Sequence, residues 1–164
     1  SGQFQDIDKP RMYLPSGGAG TLGFDIPAAM GAKIARPEHN AVAVMGDFGF
    51  TFLVEELGVA AKYGIPVIVV ILNNAYLSLI RQNQKYAYGY EYAVSMKENH
   101  DLIDYVKIAE GFGCRAERVL KPDEIAGAFE RALKSGKPSV IDIVCEEQTD
   151  CSMGPSVASV KEFV

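Results

Sequence analysis

The chain has 164 residues, of which 48% are hydrophobic and 23% are charged, a composition typical of one soluble globular domain. Its formal net charge of −5 is spread without a basic run, which argues against nucleic acid as a partner. The longest apolar run, 66–72, is too short to span a membrane. The N-terminus lacks an initiator Met and a secretory pattern, so we expect a cytoplasmic protein seen as a fragment or processed chain.

Apolar periodicity, broken by glycine and proline, predicts alternating strands and helices. In chain order we expect a short strand at 11–14, a glycine-rich loop at 16–23, a helix at 24–34, a strand at 42–45, a helix at 52–63, a strand at 67–72, a helix at 102–112, a strand at 114–119, a helix at 123–133 and a strand at 138–144. This order predicts an α/β fold with a doubly wound, mainly parallel sheet and helices on both faces. The tail, 148–164, is expected to wrap another surface.

Two further features of composition concern cysteine and tyrosine. Cys114, Cys145 and Cys151 are odd in number and lack CxxC spacing, so we expect reduced thiols rather than disulfides or a zinc site. Five tyrosines fall between Tyr76 and Tyr92. Aromatic rings with polar tips favour a wet cleft or an interface over a dry core.

The glycine-rich loop contains the spacing Gly18-x-Gly20-x-x-Gly23, which matches the dinucleotide fingerprint. That fingerprint requires a strong strand directly before it, and 13–16 is a poor one. Three interpretations stay open at this point: a nicotinamide-dinucleotide site, a glycine turn that permits close helix packing, and a ligand-contacting loop of another kind.

Polar residues end the two strands of a predicted βαβ unit. Asp47 follows the first strand and Asn74 follows the second, with the 26 residues 48–73 between them. Both should lie at the carboxyl edge of the sheet, where open α/β sheets bind ligands. A carboxylate and an amide oxygen, without His or Cys, suit Mg²⁺.

The turn around Asp47 adds an anion site to this picture. Gly46 and Gly49 flank Asp47, so backbone N–H groups can converge on an anion beside a metal, helped by a helix that follows near Thr51. An aspartate at a strand end is also a common helix N-cap. Asn74 opposite Asp47 favours the metal-diphosphate interpretation.

Several motifs resemble the thiamine-diphosphate-dependent decarboxylase and acetohydroxyacid-synthase superfamily. These are Gly46-Asp47 followed by Asn74, Glu56-Leu57 and Pro66-Val67 between them, and SGGAGTLGFDIPAAMGA upstream. The resemblance covers most of the chain. It implies that 1–164 is the C-terminal, diphosphate-binding domain of a three-domain enzyme with the thiamine-diphosphate-binding fold.

Within that superfamily, four segments are most similar to the glyoxylate carboligase group and next to acetolactate synthases. They are GDFGFTFLVEEL, NNAYLSLIRQNQ, VKIAEGFGCRAERVLKPDEIAGAFE and CSMGPSVASVKEF. Phe48 stands where most relatives carry Gly or Ala, and glyoxylate carboligases share this departure. Acetolactate synthases normally carry a Trp near Gln82-Asn83-Gln84, and this chain has no Trp.

The resemblance also implies roles for individual residues. Mg²⁺ would be held by the side chains of Asp47 and Asn74 and the carbonyl of Tyr76. The cofactor-binding residues would be Gly20, Leu22, Gly46, Asp47, Phe48, Gly49, Asn74 and Tyr76, with Leu22 as the apolar wedge that bends the cofactor. Leu22, Leu77, Ile80 and Arg81 would lie near the reacting groups, although helix packing with a solvated Arg81 accounts equally well for the last three.

The implied activity is decarboxylation of a 2-oxo acid and joining of the product to a second carbonyl. The implied partner is the pyrimidine-binding domain of another subunit, within a homodimer or homotetramer, and FAD is possible in the full-length enzyme. Two alternatives remain open: an acetolactate synthase, and a non-catalytic cofactor-binding or assembly module that keeps the fold.

Overall fold

A computed structural model describes residues 6–97 and 102–147. The predicted course of the tail lies outside these residues. The elements are α1 (Asp25–Ala35), β1 (Ala41–Gly46), α2 (Asp47–Thr51), α3 (Glu56–Tyr63), β2 (Val67–Asn73), α4 (Ser78–Asn83) continued by a π-helical turn (Gln84–Tyr88), α5 (Tyr105–Gly111), β3 (Arg115–Val119), a 3₁₀ turn (Pro122–Glu124), α6 (Ile125–Ser135) and β4 (Ser139–Val144).

The four described strands form one sheet in the order β1-β2-β4-β3, and every neighbouring pair is parallel. Strand β2 is buried along almost its whole length, which explains its run of β-branched residues. The predicted α/β fold with a parallel sheet flanked by helices is confirmed.

Each face of the sheet carries its own apolar core. On one face α1, α2, α3 and α5 pack over the sheet, with fully buried Ile26, Phe50 and Leu57 among the contacts. On the other face α6 covers the sheet through Ala128 and Ala132. Because helices lie on both faces, the carboxyl ends of the strands are left as the open edge.

The predicted strand at 11–14 is wrong. Residues 6–16 contain no strand, and Arg11 has φ 63°, a left-handed conformation that interrupts extended pairing. Met12 and Leu14 are exposed rather than buried. The dinucleotide interpretation of the glycine loop loses the strand that it needs.

The predicted helix at 52–63 is shorter than expected, and a separate short helix precedes it. Helix α2 begins at Asp47, and the chain then turns through Leu53, which has φ 55°, before α3 begins at Glu56. Phe50 anchors the short helix separately, since its ring is fully buried and meets Tyr105 edge-on at 5.5 Å. The sequence pattern therefore predicts the start of α3 four residues too early and misses α2.

Helix α4 and its π-helical extension were not predicted. The inward face of this segment is polar, because Arg81 and Gln82 are the buried residues of α4. Apolar periodicity cannot detect a helix that buries charge and amide groups. No helix in the described ranges is both long and apolar enough to cross a membrane.

Candidate functional site

Strands β1 and β2 end side by side at one edge of the sheet. Gly46 is in register with Leu72, so Asp47 and the pair Asn73-Asn74 leave the sheet at neighbouring points. The predicted meeting of these polar residues at the carboxyl edge is what the structure shows. This edge is the expected ligand position of an open α/β sheet.

Asp47 is a buried carboxylate held by backbone amides. Asp47 is only 2% exposed, and its Oδ1 accepts a hydrogen bond from the Phe48 N–H at 2.6 Å. Oδ2 accepts one from the Ala75 N–H at 2.7 Å. Burial raises the pKa of Asp47, while the hydrogen bonds from backbone N–H groups oppose that shift.

The charge of Asp47 has no cationic side chain against it among the ion pairs of the described residues. A buried carboxylate without a cation is costly. In the described ranges no group of three or more His, Cys, Asp or Glu side chains could form a metal cage. A Mg²⁺ ion here would therefore need amide, carbonyl and phosphate oxygens in addition to Asp47.

Asn74 and Tyr76 carry oxygens of this kind near Asp47, and the Tyr76 carbonyl also accepts from Ser78 Oγ at 3.3 Å. The Asn74 Nδ2 donates to Ser78 Oγ and, at 3.4 Å, to the Glu147 carbonyl, which directs the amide oxygen away from both. The segment around Tyr76 is held by an antiparallel bridge to Ser95. Two hard oxygens therefore lie on one constrained turn beyond β2.

The residue between these two, Ala75, has φ 59° and is 2% exposed. A left-handed conformation is uncommon for alanine and costs about 1 kcal/mol or more. Observed strain of this kind clusters at functional sites, because the surrounding contacts must hold it in place. Asn74 and Tyr76 therefore lie on either side of a strained residue, Ala75, whose N–H donates to Asp47.

The glycine-rich loop lies against α2. An added Cβ on Gly49 would come within 3.9 Å of Leu22 Cδ2, so these two predicted cofactor residues are neighbours. Gly20 has φ 60° with no other atoms close to its Cβ position, and Leu22 is 48% exposed. The loop thus presents an apolar side chain and open backbone beside the start of α2.

The remaining predicted residues, Leu77, Ile80 and Arg81, occupy α4 and its first capping position. Ile80 is 52% exposed, whereas Arg81 is 2% exposed. The guanidinium of Arg81 lies 5.5 Å from the centre of the Tyr76 ring, and its Nη1 is 3.9 Å from Glu91 Oε1. Arg81 is therefore buried near the ring of Tyr76 rather than facing solvent.

Part of the tyrosine segment lies on the surface. Tyr88, Tyr90 and Tyr92 are exposed, and the Gln84 side chain holds the loop by accepting from the Tyr92 N–H at 2.8 Å and donating to its carbonyl at 3.3 Å. Exposed tyrosines on a fixed loop agree with the expectation of a wet cleft or interface. They do not form a dry core.

Sequence reasoning missed a set of residues that lie next to the turn at Ala75. Asn73, Asp142 and Arg118 come from three strands and are joined by hydrogen bonds. One signal was available: Asp142 is a charge inside the apolar strand at 138–144. A carboxylate in a buried strand indicates a paired partner.

Fold and site together define an α/β domain with a buried carboxylate, an amide and the start of a helix at one sheet edge. Residues 1–143 match the family described as thiamine pyrophosphate enzyme, C-terminal TPP binding domain. The chain belongs to this family.

Three individual proteins illustrate its relatives. It is 44% identical to glyoxylate carboligase of Escherichia coli O157:H7 over 173 residues, which is 98% of this chain and 29% of that protein. It is 40% identical to a probable acetolactate synthase large subunit of Methanocaldococcus jannaschii over 147 residues, 89% of this chain and 24% of that protein. A Rhodococcus jostii RHA1 thiamine diphosphate-dependent 4-hydroxybenzoylformate decarboxylase matches with a TM-score of 0.71 at 32% identity, covering 79% of this chain and 24% of that one.

The chain thus spans less than a third of the length of the curated relatives that it matches.

Proposed function

We propose that this chain binds Mg²⁺ and the diphosphate of thiamine diphosphate in an enzyme that decarboxylates a 2-oxo acid and joins the product to a second carbonyl compound. The observation that carries the proposal is the position of Asp47. It is a buried carboxylate with no cationic side chain against it in the described ranges, at the sheet edge beside Asn74. A divalent cation supplies the missing charge.

The donor set fits Mg²⁺. Asp47 would bind through a carboxylate oxygen, Asn74 through its amide oxygen and Tyr76 through its carbonyl. The Phe48 N–H donates to Oδ1 of Asp47, the Ala75 N–H donates to Oδ2, and the Asn74 N–H also interacts with the carboxylate. Because a carboxylate has about four acceptor positions, room for a metal remains. Phosphate oxygens would complete the preferred octahedral shell of Mg²⁺.

The start of α2 fits the diphosphate. The first N–H groups of a helix have no partner within it, and α2 begins at Asp47. The Phe48 N–H already donates to Asp47, so the Gly49 N–H is the better phosphate donor of the two predicted here. Gly46 keeps the approach open, because a Cβ there would meet no atom within 4 Å.

The glycine-rich loop fits the aminopyrimidine half of the cofactor. Gly20 offers backbone groups, and the exposed side chain of Leu22 beside Gly49 offers an apolar support under the bent molecule. When bound, thiamine diphosphate supplies an electron-accepting thiazolium ring for decarboxylation. The chain's residues hold and orient that group, and Leu77, Ile80 and the exposed part of α4 border the region where the acid would enter.

Glyoxylate is the substrate that we favour. Two glyoxylate molecules would give tartronate semialdehyde and CO₂. Support comes from the 44% identity to a glyoxylate carboligase and from Phe48 after the metal aspartate. Pyruvate condensation, the acetolactate synthase reaction, is the second candidate, supported by 40% identity to a probable acetolactate synthase.

The full active site is proposed to need another subunit. The described chain offers the diphosphate half of a site, so a pyrimidine-binding domain from a second subunit would cover Leu22 and the exposed tyrosines. We propose a homodimer or homotetramer in the cytoplasm. FAD, where present, would lie outside this chain and would be seen in the flavin absorbance of the purified full-length enzyme.

A steady-state assay of the full-length protein tests the function. We expect CO₂ release and carboligation with glyoxylate, dependent on Mg²⁺ and thiamine diphosphate, and a lower kcat/KM with pyruvate. A higher kcat/KM with pyruvate would reverse the substrate assignment. Cofactor binding without turnover of either acid would favour a non-catalytic module. The isolated chain is expected to bind Mg²⁺-thiamine diphosphate weakly and to turn over nothing.

A further inference from the structure

Asp142 is a fully buried charge in the middle of β4. Its Oδ2 accepts from Arg118 Nε at 2.7 Å, and its Oδ1 accepts from Asn73 Nδ2 at 2.9 Å. Arg118 also donates to the Ile103 carbonyl at 2.7 Å. Because a buried charge is costly without its partners, removing either Arg118 or Asn73 would leave Asp142 partly unpaired and destabilise the fold.

The carboxylate of Asp142 fixes which way the Asn73 amide points. An ionised carboxylate only accepts hydrogen bonds, so the NH₂ group of Asn73 must face it. The oxygen of Asn73 then faces the other way, where it accepts from the Ala75 N–H at 3.2 Å. A flipped amide would put two donors face to face at Ala75 and two acceptors face to face at Asp142.

The Ala75 N–H is therefore shared by two acceptors, Asn73 Oδ1 and Asp47 Oδ2. This N–H belongs to the left-handed residue that separates Asn74 from Tyr76. A strained conformation persists only where surrounding contacts over-determine it. The chain of contacts thus runs from Arg118 through Asp142 and Asn73 to the turn that carries two of the proposed metal ligands.

We propose that Asp142 and Asn73 are positioning residues that hold the strained turn at Ala75 and thereby pre-organise the Mg²⁺ site. The inference rests on the proposed function. Neither residue touches the metal or the substrate. Their effect passes through the Ala75 N–H, in the way that residues behind metal ligands commonly tune affinity.

The test uses the full-length protein and its variants Asp142→Asn and Asn73→Ser. Calorimetry measures thiamine diphosphate binding across a Mg²⁺ series, with thermal unfolding of each apoprotein measured separately. We expect the Mg²⁺ concentration for half-maximal binding to rise by about 10–100-fold in both variants. Saturating Mg²⁺ should restore most of kcat, since the chemistry-bearing groups are intact.

Two further variants separate positioning from general stability. Glu117→Gln removes an ion-paired carboxylate from β3, the strand that carries Arg118, and should leave Mg²⁺ affinity unchanged. Ala75→Gly removes the cost of a positive φ, so Asp142→Asn should lose less Mg²⁺ affinity in that background. An equal loss in both backgrounds would overturn the proposed route through Ala75.

The two proposals fail in different ways. If the parent protein binds Mg²⁺-thiamine diphosphate and both Asp142→Asn and Asn73→Ser bind Mg²⁺ with unchanged affinity, only the positioning role is overturned. If the parent protein shows no Mg²⁺-dependent binding of thiamine diphosphate, the proposed function is wrong. The positioning role, which rests on that function, is then wrong as well. Should Asp142→Asn not fold, Asn73→Ser carries the test alone, because Asn73 is uncharged.

Discussion

The Ala75 N–H donates to Oδ2 of Asp47 at 2.7 Å, which joins the turn after β2 to the residue that follows β1. The bond connects two elements that are far apart in sequence and makes one rigid unit of the sheet edge. It also orients the proposed metal carboxylate through the backbone of that turn. Pre-organised ligands lose less freedom on binding.

The first prediction concerns that carboxylate. Asp47→Asn removes the charge while keeping the shape of the side chain, so the Mg²⁺-dependent affinity for thiamine diphosphate should fall by more than about 100-fold, beyond the effect of residues behind metal ligands. Titration calorimetry on the full-length protein measures it. Asp123→Asn, at an exposed position in the 3₁₀ turn, is the matched control and should bind as the parent does. Unchanged affinity in Asp47→Asn would remove Asp47 from the metal site.

The second prediction concerns the close contact of the glycine-rich loop. Gly23 has φ 84°, and an added Cβ would lie 3.0 Å from Phe52 Cβ and 3.2 Å from the Phe52 carbonyl oxygen. Gly23→Ala should therefore lower the free energy of unfolding by about 1–3 kcal/mol, because both backbone strain and overlap oppose it.

Gly17 provides the control for this change. A Cβ at Gly17 meets nothing within 4 Å, and its φ is outside the positive range. Urea unfolding of Gly17→Ala should stay within about 0.5 kcal/mol of the parent. Similar free energies of unfolding for the two variants would show that the loop relaxes away from Phe52.

The meeting of Asp47 and Asn74 at one sheet edge and most of the order of elements were predictable because they depend on local patterns. An apolar strand that ends in Gly46-Asp47 and another that ends in Asn73-Asn74 set the site before the sheet order is known. The partners of Asp142 were not predictable in the same way. Arg118 and Asn73 reach it only because β4 lies between β2 and β3, an order that no local pattern contains.

Helix α4 shows a second limit of sequence reasoning. Its buried face consists of Arg81 and Gln82, so the usual apolar stripe is missing. The left-handed residues Leu53 and Ala75 show a third limit, since neither leucine nor alanine favours positive φ. Tertiary contacts accompany both conformations, since Leu53 lies beside Gly23 and the Ala75 N–H donates to Asp47.

The third prediction concerns pH and Glu117. Burial raises the pKa of Glu117, but hydrogen bonds from Arg131 and Arg115 outweigh burial, so the pKa lies below its ordinary value of 4.5. A lowered pKa in the folded state stabilises the fold above pH 4.5, and this contribution is lost as the pH falls through the folded value. The wild type should therefore lose stability below pH 4.5 more steeply than Glu117→Gln.

Chemical unfolding at a series of pH values from 7 to 3 checks this difference. The free energies of unfolding of the two proteins should converge at the acid end. A difference that stays constant over the whole series would show that Glu117 titrates equally in the folded and unfolded states. Added salt should reduce the difference at neutral pH, since Arg131 is exposed.

The fourth prediction concerns the thiols. Cys114 is 6% exposed, and burial raises its pKa to about 11. At pH 8 it would hold roughly 100-fold less thiolate than a thiol of pKa 9.0, so it should react far more slowly. Cys145 is half-buried, and burial raises its pKa as well.

Labelling of a Cys151→Ser variant with a disulfide reagent measures this order of reactivity. Within 1–164 that background leaves Cys145 and Cys114, and we expect Cys145 to react first and Cys114 to react only after unfolding. In denaturant both should react at similar rates. Fast native labelling of Cys114, located by peptide mapping, would show that the core around Leu57 opens readily.

The fifth prediction separates packing from cofactor contact at Leu22. The side chain is 48% exposed, so Leu22→Ala should lower the free energy of unfolding by less than about 1 kcal/mol. Leu57 is fully buried, and Leu57→Ala should cost about 2–5 kcal/mol. For cofactor affinity we expect the opposite order, with the larger effect in Leu22→Ala. Leu22→Ala should weaken thiamine diphosphate binding to the full-length protein by about 10-fold or more, since a lost apolar contact of 1.4 kcal/mol changes affinity tenfold.

Leu57→Ala, which lies away from the open edge, should leave the affinity of its folded fraction unchanged. Thermal unfolding and calorimetry on the same two variants give both quantities. If Leu22→Ala keeps full cofactor affinity, the exposed position of Leu22 beside Gly49 serves a subunit contact instead, and the dissociation constant of the oligomer should then change in that variant.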